Sequence, residues 1–129
     1  MWPIGYIYNE FKEPVFDEKM YSSKSRIIVK EEFQEGLRDI TDFSKIYVIF
    51  YFHLSEGYTL IQKRRFDGKI AGVFASRSPK RPNHIGVTLV ELLEVKDNVL
   101  VVKGLDAVDG TPVLDIKPFI EKNAAGDSL

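Results

Sequence analysis

Cysteine is absent from the 129 residues, and histidine occurs only twice. The first absence excludes disulfide scaffolding, cysteine nucleophiles, cysteine-held iron–sulfur clusters and thiolate zinc sites. The second leaves too few ligands for a self-contained transition-metal site, so no metal is expected. Long apolar runs are missing too: the most apolar stretch, residues 46–52, falls far short of the roughly 20 residues a membrane-crossing helix needs. The opening MWPIGYIYNEFKEP has no basic start followed by an apolar run, so it does not read as a signal peptide. A soluble, cytoplasmic protein with no membrane partner is expected. There is no strand–glycine fingerprint–helix order, which excludes a doubly wound dinucleotide fold, and no Gly-Lys-Ser/Thr ending of a P-loop. An excess of charge is also lacking: 18 Lys and Arg against 19 Asp and Glu leave −1, which by itself argues against a nucleic-acid partner.

What is present supports one folded domain. A hydrophobic fraction of 44% can fill a core, and 29% charged residues make an ordinary surface. The neutral total conceals how the charge is placed. Residues 63–81 hold seven basic side chains (Lys63, Arg64, Arg65, Lys69, Arg77, Lys80, Arg81) against one acid, Asp67, so that segment carries +6. Such a cluster is either a solvated face or an anion-binding surface.

Most of the chain reads as short strands. Residues 3–8, 25–30, 71–75 and 113–116 are apolar, with β-branched or aromatic side chains. Residues 46–53, IYVIFYFH, predict a central strand buried on both faces. Residues 86–95 and 99–105 predict a hairpin that bends at Lys96, Asp97 and Asn98. Residues 31–37 allow a helical turn, and no segment reads as a long amphipathic helix. The expected fold is mostly β, a small single-domain β-barrel with short helical or irregular insertions, closed so that strand edges are not exposed. The barrel domain is expected over residues 1–122, with residues 123–129 as a flexible tail.

Two stretches carry most of the chemistry. In GVFASRSPKRPNHIG (residues 72–86), Pro79 and Pro82 predict a stiff, extended loop between apolar strands. A stiff loop holds Arg77 and Arg81 with less entropy to lose on binding, and arginine's planar fork suits anionic groups. In GLDAVDGTPVLDIKP (residues 104–118), Asp106, Asp109 and Asp115 recur among glycines and prolines. The run Asp109-Gly110-Thr111-Pro112 reads either as a plain turn or as a ligand cradle; its length and ending do not fit an EF-hand. His53 closes the apolar strand and His84 lies in the arginine loop, neither at a metal-binding spacing. A Ser–His–Asp triad can be assembled only by free combination, with no nucleophile elbow to support it.

Together YVIFYFH (residues 47–53), GVFASRSPKRPNHIG (72–86) and DAVDGTPVLDIKPFI (106–120) resemble the three characteristic blocks of the TsaA-like, or TrmO-type, family. Residues 3–14 match its usual N-terminal block, so the similarity covers nearly the whole chain. Characterised members are tRNA methyltransferases that use S-adenosylmethionine. The resemblance implies a small, usually dimeric β-barrel methyltransferase that methylates N6 of N6-threonylcarbamoyladenosine at tRNA position 37. The implied cofactor contacts are His53, Leu54, Arg77, Val87, Val108, Asp109, Gly110 and Thr111. Family contacts between the first two strands have no clear counterpart in residues 17–20.

On that resemblance, Leu54 and Val87 would pack on adenine and the Asp109–Thr111 turn would hold polar groups of the cofactor. Arg64, Arg65, Lys80 and Arg81, with Lys63 and His84 beside them, are the expected substrate contacts, meeting phosphates of the tRNA anticodon loop while Tyr or Phe side chains stack on its bases. Phosphate contacts would make tRNA affinity fall with salt. The acceptor nitrogen is a poor nucleophile because its lone pair is delocalised. Asp109, Asp115 and His53 are the candidates for assisting it, and Arg77 or Arg81 for meeting the threonyl carboxylate.

Two departures from the family pattern stand out. The family loop commonly reads Arg-Pro-Asn-Pro-Ile-Gly, and here His84 replaces the second proline, which either loosens the loop or adds a titratable group. Many bacterial members also carry an additional C-terminal domain that has no counterpart in these 129 residues. The competing readings are a noncatalytic RNA- or nucleotide-binding module and a small-molecule methyltransferase.

Overall fold

A computed structural model describes residues 1–14 and 17–121 of the chain. The expected tail at residues 123–129 and the end of the expected domain at residue 122 lie outside the described residues. Side-chain alternation builds the fold. Strands Gly5–Tyr8 (β1), Lys24–Val29 (β2), Lys45–Tyr51 (β3) and Val99–Lys103 (β7) bury every second residue for most of their length, Ile85–Lys96 (β6) does so over its first half, and Pro112–Pro118 (β8) buries Val113. Between them lie two short strands, Ile61–Lys63 (β4) and Ile70–Gly72 (β5), which pair only with each other.

The six longer strands close into a barrel in the order β1-β2-β7-β6-β3-β8, with all neighbours antiparallel. Closure removes the edges, as the sequence led us to expect. Ile7, Ile27, Val29, Ile46, Val48, Phe50, Val90, Leu100, Val102 and Val113 point inward and fill it, each 2% exposed or less. Burying such a side chain is worth about 1.5–3 kcal/mol, so the alternating pattern is what stabilises the barrel.

Several expectations need correction. Residues 46–53 are not buried on both faces: Ile46, Val48 and Phe50 point in, Tyr47 and Ile49 are half-covered, and Tyr51 is exposed. A small barrel has one interior, and among the described residues no layer of helices covers its outside. The strand also stops at Tyr51, leaving His53 in a turn. The strand expected at residues 71–75 ends at Gly72, and Val73–Ala75 is a 3-10 turn. Its partner β4, which ends where the basic run begins, was not expected.

The only α-helix among the described residues is one turn, Glu18–Ser22 (α1). Asp17 caps it, its carboxylate accepting from the Met20 amide at 3.2 Å, and Ser23 returns the chain to extended backbone. The helix buries Met20 completely against Phe11 and Val108, a second small cluster beside the barrel. No helix among the described residues is long and apolar enough to cross a membrane.

Candidate functional site

Three segments distant in sequence meet at one end of the barrel because of strand pairing. Phe50 and Tyr51, at the end of β3, pair with Gly86 and Ile85 at the start of β6, and Phe50 also faces Val113 near the start of β8. The residues that follow β3, precede β6 and precede β8 are therefore neighbours. Between them opens a cleft of about 270 Å³. Phe50 and Phe52 meet edge to face at 5.1 Å between ring centroids and form one apolar wall. His53 and Leu54 continue it, Ala107, Val108 and Thr111 stand on the second segment, and Pro79 and Lys80 on the third. Gly86 is required here: a Cβ would come within 2.6 Å of the Phe50 ring and 2.8 Å of the Phe52 ring.

The segment at residues 104–111 is held by the N-terminal strand and the loop after it. Ile7 donates its amide to the Thr111 carbonyl at 2.9 Å, and Gly110 and Asp109 donate theirs to the Ile7 and Phe11 carbonyls at 2.7 Å. The Asn9 side chain bridges the Ser25 hydroxyl and the Ala107 carbonyl. Asp109 accepts from the Asn9 amide and from Lys12 Nζ, both at 2.9 Å. These two donors, Lys12 first, hold the Asp109 carboxyl below its ordinary pKa. Gly110 turns the chain at a φ of 84°, in the left-handed region that favours glycine.

The loop before β6 is tied by side-chain hydrogen bonds as well as carrying its two prolines. Half-buried Arg81 donates through Nη1 to the Ser76 and Ser78 carbonyls, and Gln62 donates to the Lys80 carbonyl. Lys80 Nζ donates to the Glu56 carbonyl at 2.8 Å. His84 Nε2 lies 2.8 Å from the Gly57 carbonyl, which requires the proton on that nitrogen. The imidazole that replaces the family's proline thus ties this loop to the turn after β3.

Beside the cleft, residues 58–74 form a basic and apolar flap around β4 and β5. Arg64 pairs with Asp67 through two hydrogen bonds of 2.8 Å, donates to the Ala75 carbonyl, and stacks 4.7 Å over the Phe66 ring. The Arg64 hydrogen bonds, and then the Lys69 amide, hold Asp67 below its ordinary pKa. Leu60, Ile61, Phe66, Ile70 and Phe74 are all more than half exposed.

A last cluster sits at the cleft's rim. Thr88 on β6 donates its hydroxyl to Asp106, which lines the cleft. Tyr21, at the end of α1, lies in the same field: burial and then the Asp106 carboxylate push its phenol up, opposed by Arg65 and Arg77.

The structure gathers some of the expected residues and separates others. His53, Leu54, Lys80, Val108 and Thr111 line the cleft. Asp109 and Gly110 form the adjoining turn without lining it. Arg77 donates to the Val87 carbonyl, so these two stand together, with Val87 on the outer face of β6, where Gly86 and Thr88 face inward. Asp115 pairs across the sheet with Ile49, whose neighbours Val48 and Phe50 point inward; it therefore lies on the outer face, 3.2 Å from Lys117 Nζ. Arg64 and Arg81 each have donors committed within their own loops. Asp106, Phe52 and Tyr21 were not among the expected site residues. Asp106 lay in a block the sequence singled out, but nothing local said which of its three carboxylates faces a cleft. A wider, polar depression at the far end of β6, rimmed by Glu31, Glu35 and Asp97, contains none of the expected residues.

The sequence model of the family described as tRNA-methyltransferase O N-terminal domain matches residues 7–124. A Pyrococcus abyssi protein named "Probable S-adenosyl-L-methionine-binding protein" is 43% identical over 123 residues, covering 92% of this chain and 66% of its own length. A Mus musculus tRNA (adenine(37)-N6)-methyltransferase is 36% identical over 129 residues, covering 92% of this chain but 30% of its own. A crystal structure of TrmO superposes with a TM-score of 0.74 at 32% identity, over 99% of this chain and 59% of the other. The chain thus spans two thirds or less of each of these three proteins.

Proposed function

The chain belongs to the tRNA-methyltransferase O N-terminal domain family, and from that premise we propose that it transfers a methyl group from S-adenosylmethionine to N6 of N6-threonylcarbamoyladenosine at tRNA position 37. The observation that carries the reading is the cleft, where three sequence blocks converge beside a flap of basic side chains. Its residues suit the cofactor chemically. A flat adenine matches the Phe50, Phe52, Leu54 and Val108 surfaces, and Thr111, which also lines the cleft, suits the polar amino-acid end, with the turn at Asp109 and Gly110 holding it in place. When bound, the cofactor supplies an electrophilic methyl group; the chain's task is to align it, exclude water and handle the acceptor's proton.

Arg77 and Val87 frame the outer edge of this site. Lys63, Arg65, Lys69 and Lys80 extend a positive surface toward the tRNA backbone, with Arg64, Arg81 and His84 holding its loops in shape. The partner is the anticodon loop, in the cytoplasm, and the working unit is a homodimer. The exposed apolar face of β4 and β5 supports the dimer, because a two-stranded sheet is marginal on its own and this one leaves Ile61 and Ile70 more than 60% exposed.

Calorimetric titration with S-adenosylmethionine tests the assignment. We expect saturable binding with one cofactor per chain, weakened at least tenfold by Val108→Asp, which places a like-sized charge in the apolar wall. Titration without heat or saturation would demote the enzyme to an RNA-binding module.

A further inference from the structure

Asp106 is the one carboxylate lining the cleft among the described residues. Its chain neighbours Leu105 and Ala107 are 1% and 4% exposed in the barrel core, while Asp106 itself is half-buried at the cleft. One carboxylate oxygen is fixed by the hydroxyl of Thr88, itself 9% exposed on β6. The other accepts no hydrogen bond from the described residues. Asn9 holds the Ala107 carbonyl at 2.9 Å and so fixes the backbone that carries the carboxylate. Asp109, by contrast, has both oxygens bound to the N-terminal segment, and Asp115 faces outward. Of the other titratable groups of the wall, Lys80 donates its Nζ to the Glu56 carbonyl, and His53 lies in a turn where, among the described residues, only its backbone amide is hydrogen-bonded, to the Tyr51 carbonyl at 2.8 Å.

A carboxylate oriented on one oxygen and open to an apolar cleft on the other is arranged to accept a proton. We propose that Asp106 is the catalytic base of the methyl transfer and that Thr88 is its positioning residue. The proposal rests on the reading that an adenine N6 is the acceptor. That nitrogen carries one hydrogen and a delocalised lone pair. As the N–H bond breaks, its electron pair stays on nitrogen and the proton passes to the open Asp106 oxygen. Nitrogen then forms its bond to the methyl carbon, the carbon–sulfur bond breaks with its pair left on sulfur, and the positive charge disappears. Asp106 later returns the proton to water.

The test compares wild type with Asp106→Asn in single-turnover methylation of tRNA bearing N6-threonylcarbamoyladenosine, alongside S-adenosylmethionine and tRNA binding. We expect both affinities to stay within about threefold while the rate falls about 100- to 1000-fold. The wild-type rate should be level between about pH 6.5 and about pH 8.5, whereas the variant's should climb about tenfold per pH unit as hydroxide replaces the missing base. Thr88→Val should slow the reaction about tenfold with a level profile, and Thr88→Ser should restore it. An Asp106→Asn rate near wild type overturns the assignment, and so does a rate loss matched by an equal loss of cofactor binding. If Asp106→Asn does not fold, a wild-type rate in Thr88→Val overturns it instead. A wild type that binds the cofactor yet methylates no tRNA fails at the earlier step and refutes the assigned reaction itself.

Discussion

Asp109 and Asp106 are three residues apart and have opposite surroundings. The charged Asp109 is clamped by Lys12 and by the Asn9 amide, which lower its pKa in the folded chain. A depressed carboxyl stabilises the fold fully above its unfolded value of about 3.9, and that contribution is lost as pH falls through the lower folded value. Asp109→Asn should therefore lower the melting temperature at pH 7, and the gap to wild type should narrow below about pH 4, where Asp109 begins to protonate in the unfolded chain while the folded carboxyl is still charged. A gap that stays constant from pH 7 to about pH 3 would mean that the ion pair with Lys12 does not support the fold. Such distinctions were not legible from the sequence. Asp106, Asp109 and Asp115 stand in one motif, and only the pairing of β1, β3 and β8 decides which faces the cleft, the N-terminal loop or the outside. Tyr21 was equally hidden, because a one-turn helix leaves no periodicity to read.

At the scale of elements, the barrel strands were legible because alternation forces one face inward, and the bend at Asp97 was legible because the chain there needs turn residues; Asp97 adopts a φ of 55°. β4 was not, since its three residues sit among charges and bury little. That low burial is itself informative. Val73 and Ser76 anchor the flap's base at 1% and 7% exposure, while Ile61 and Ile70 stand out at 66% and 63%. If this face is the dimer contact, the double substitution Ile61→Glu and Ile70→Glu should halve the mass seen by sedimentation velocity while leaving the melting temperature nearly unchanged. A wild-type mass in the variant would place the contact elsewhere. Beyond the prolines that the sequence shows, Arg81, Gln62 and His84 tie this loop through backbone carbonyls, contacts that no local pattern reveals.

For the whole molecule, net charge is a poor guide to the partner. The chain carries −1, yet residues 63–81 carry +6, and the fold gathers them into one flap and the adjoining loop instead of dispersing them around the barrel. The same closure places the apolar cleft beside that positive surface, the arrangement on which the proposed meeting of cofactor and nucleic acid rests. The most direct measurement is transfer of a labelled methyl group from S-adenosylmethionine to two otherwise identical tRNAs, one with N6-threonylcarbamoyladenosine at position 37 and one with plain adenosine. Label is expected in the first tRNA, at N6 of that nucleoside, and none in the second. Equal labelling of both, or none in either while the cofactor binds, would contradict that expectation.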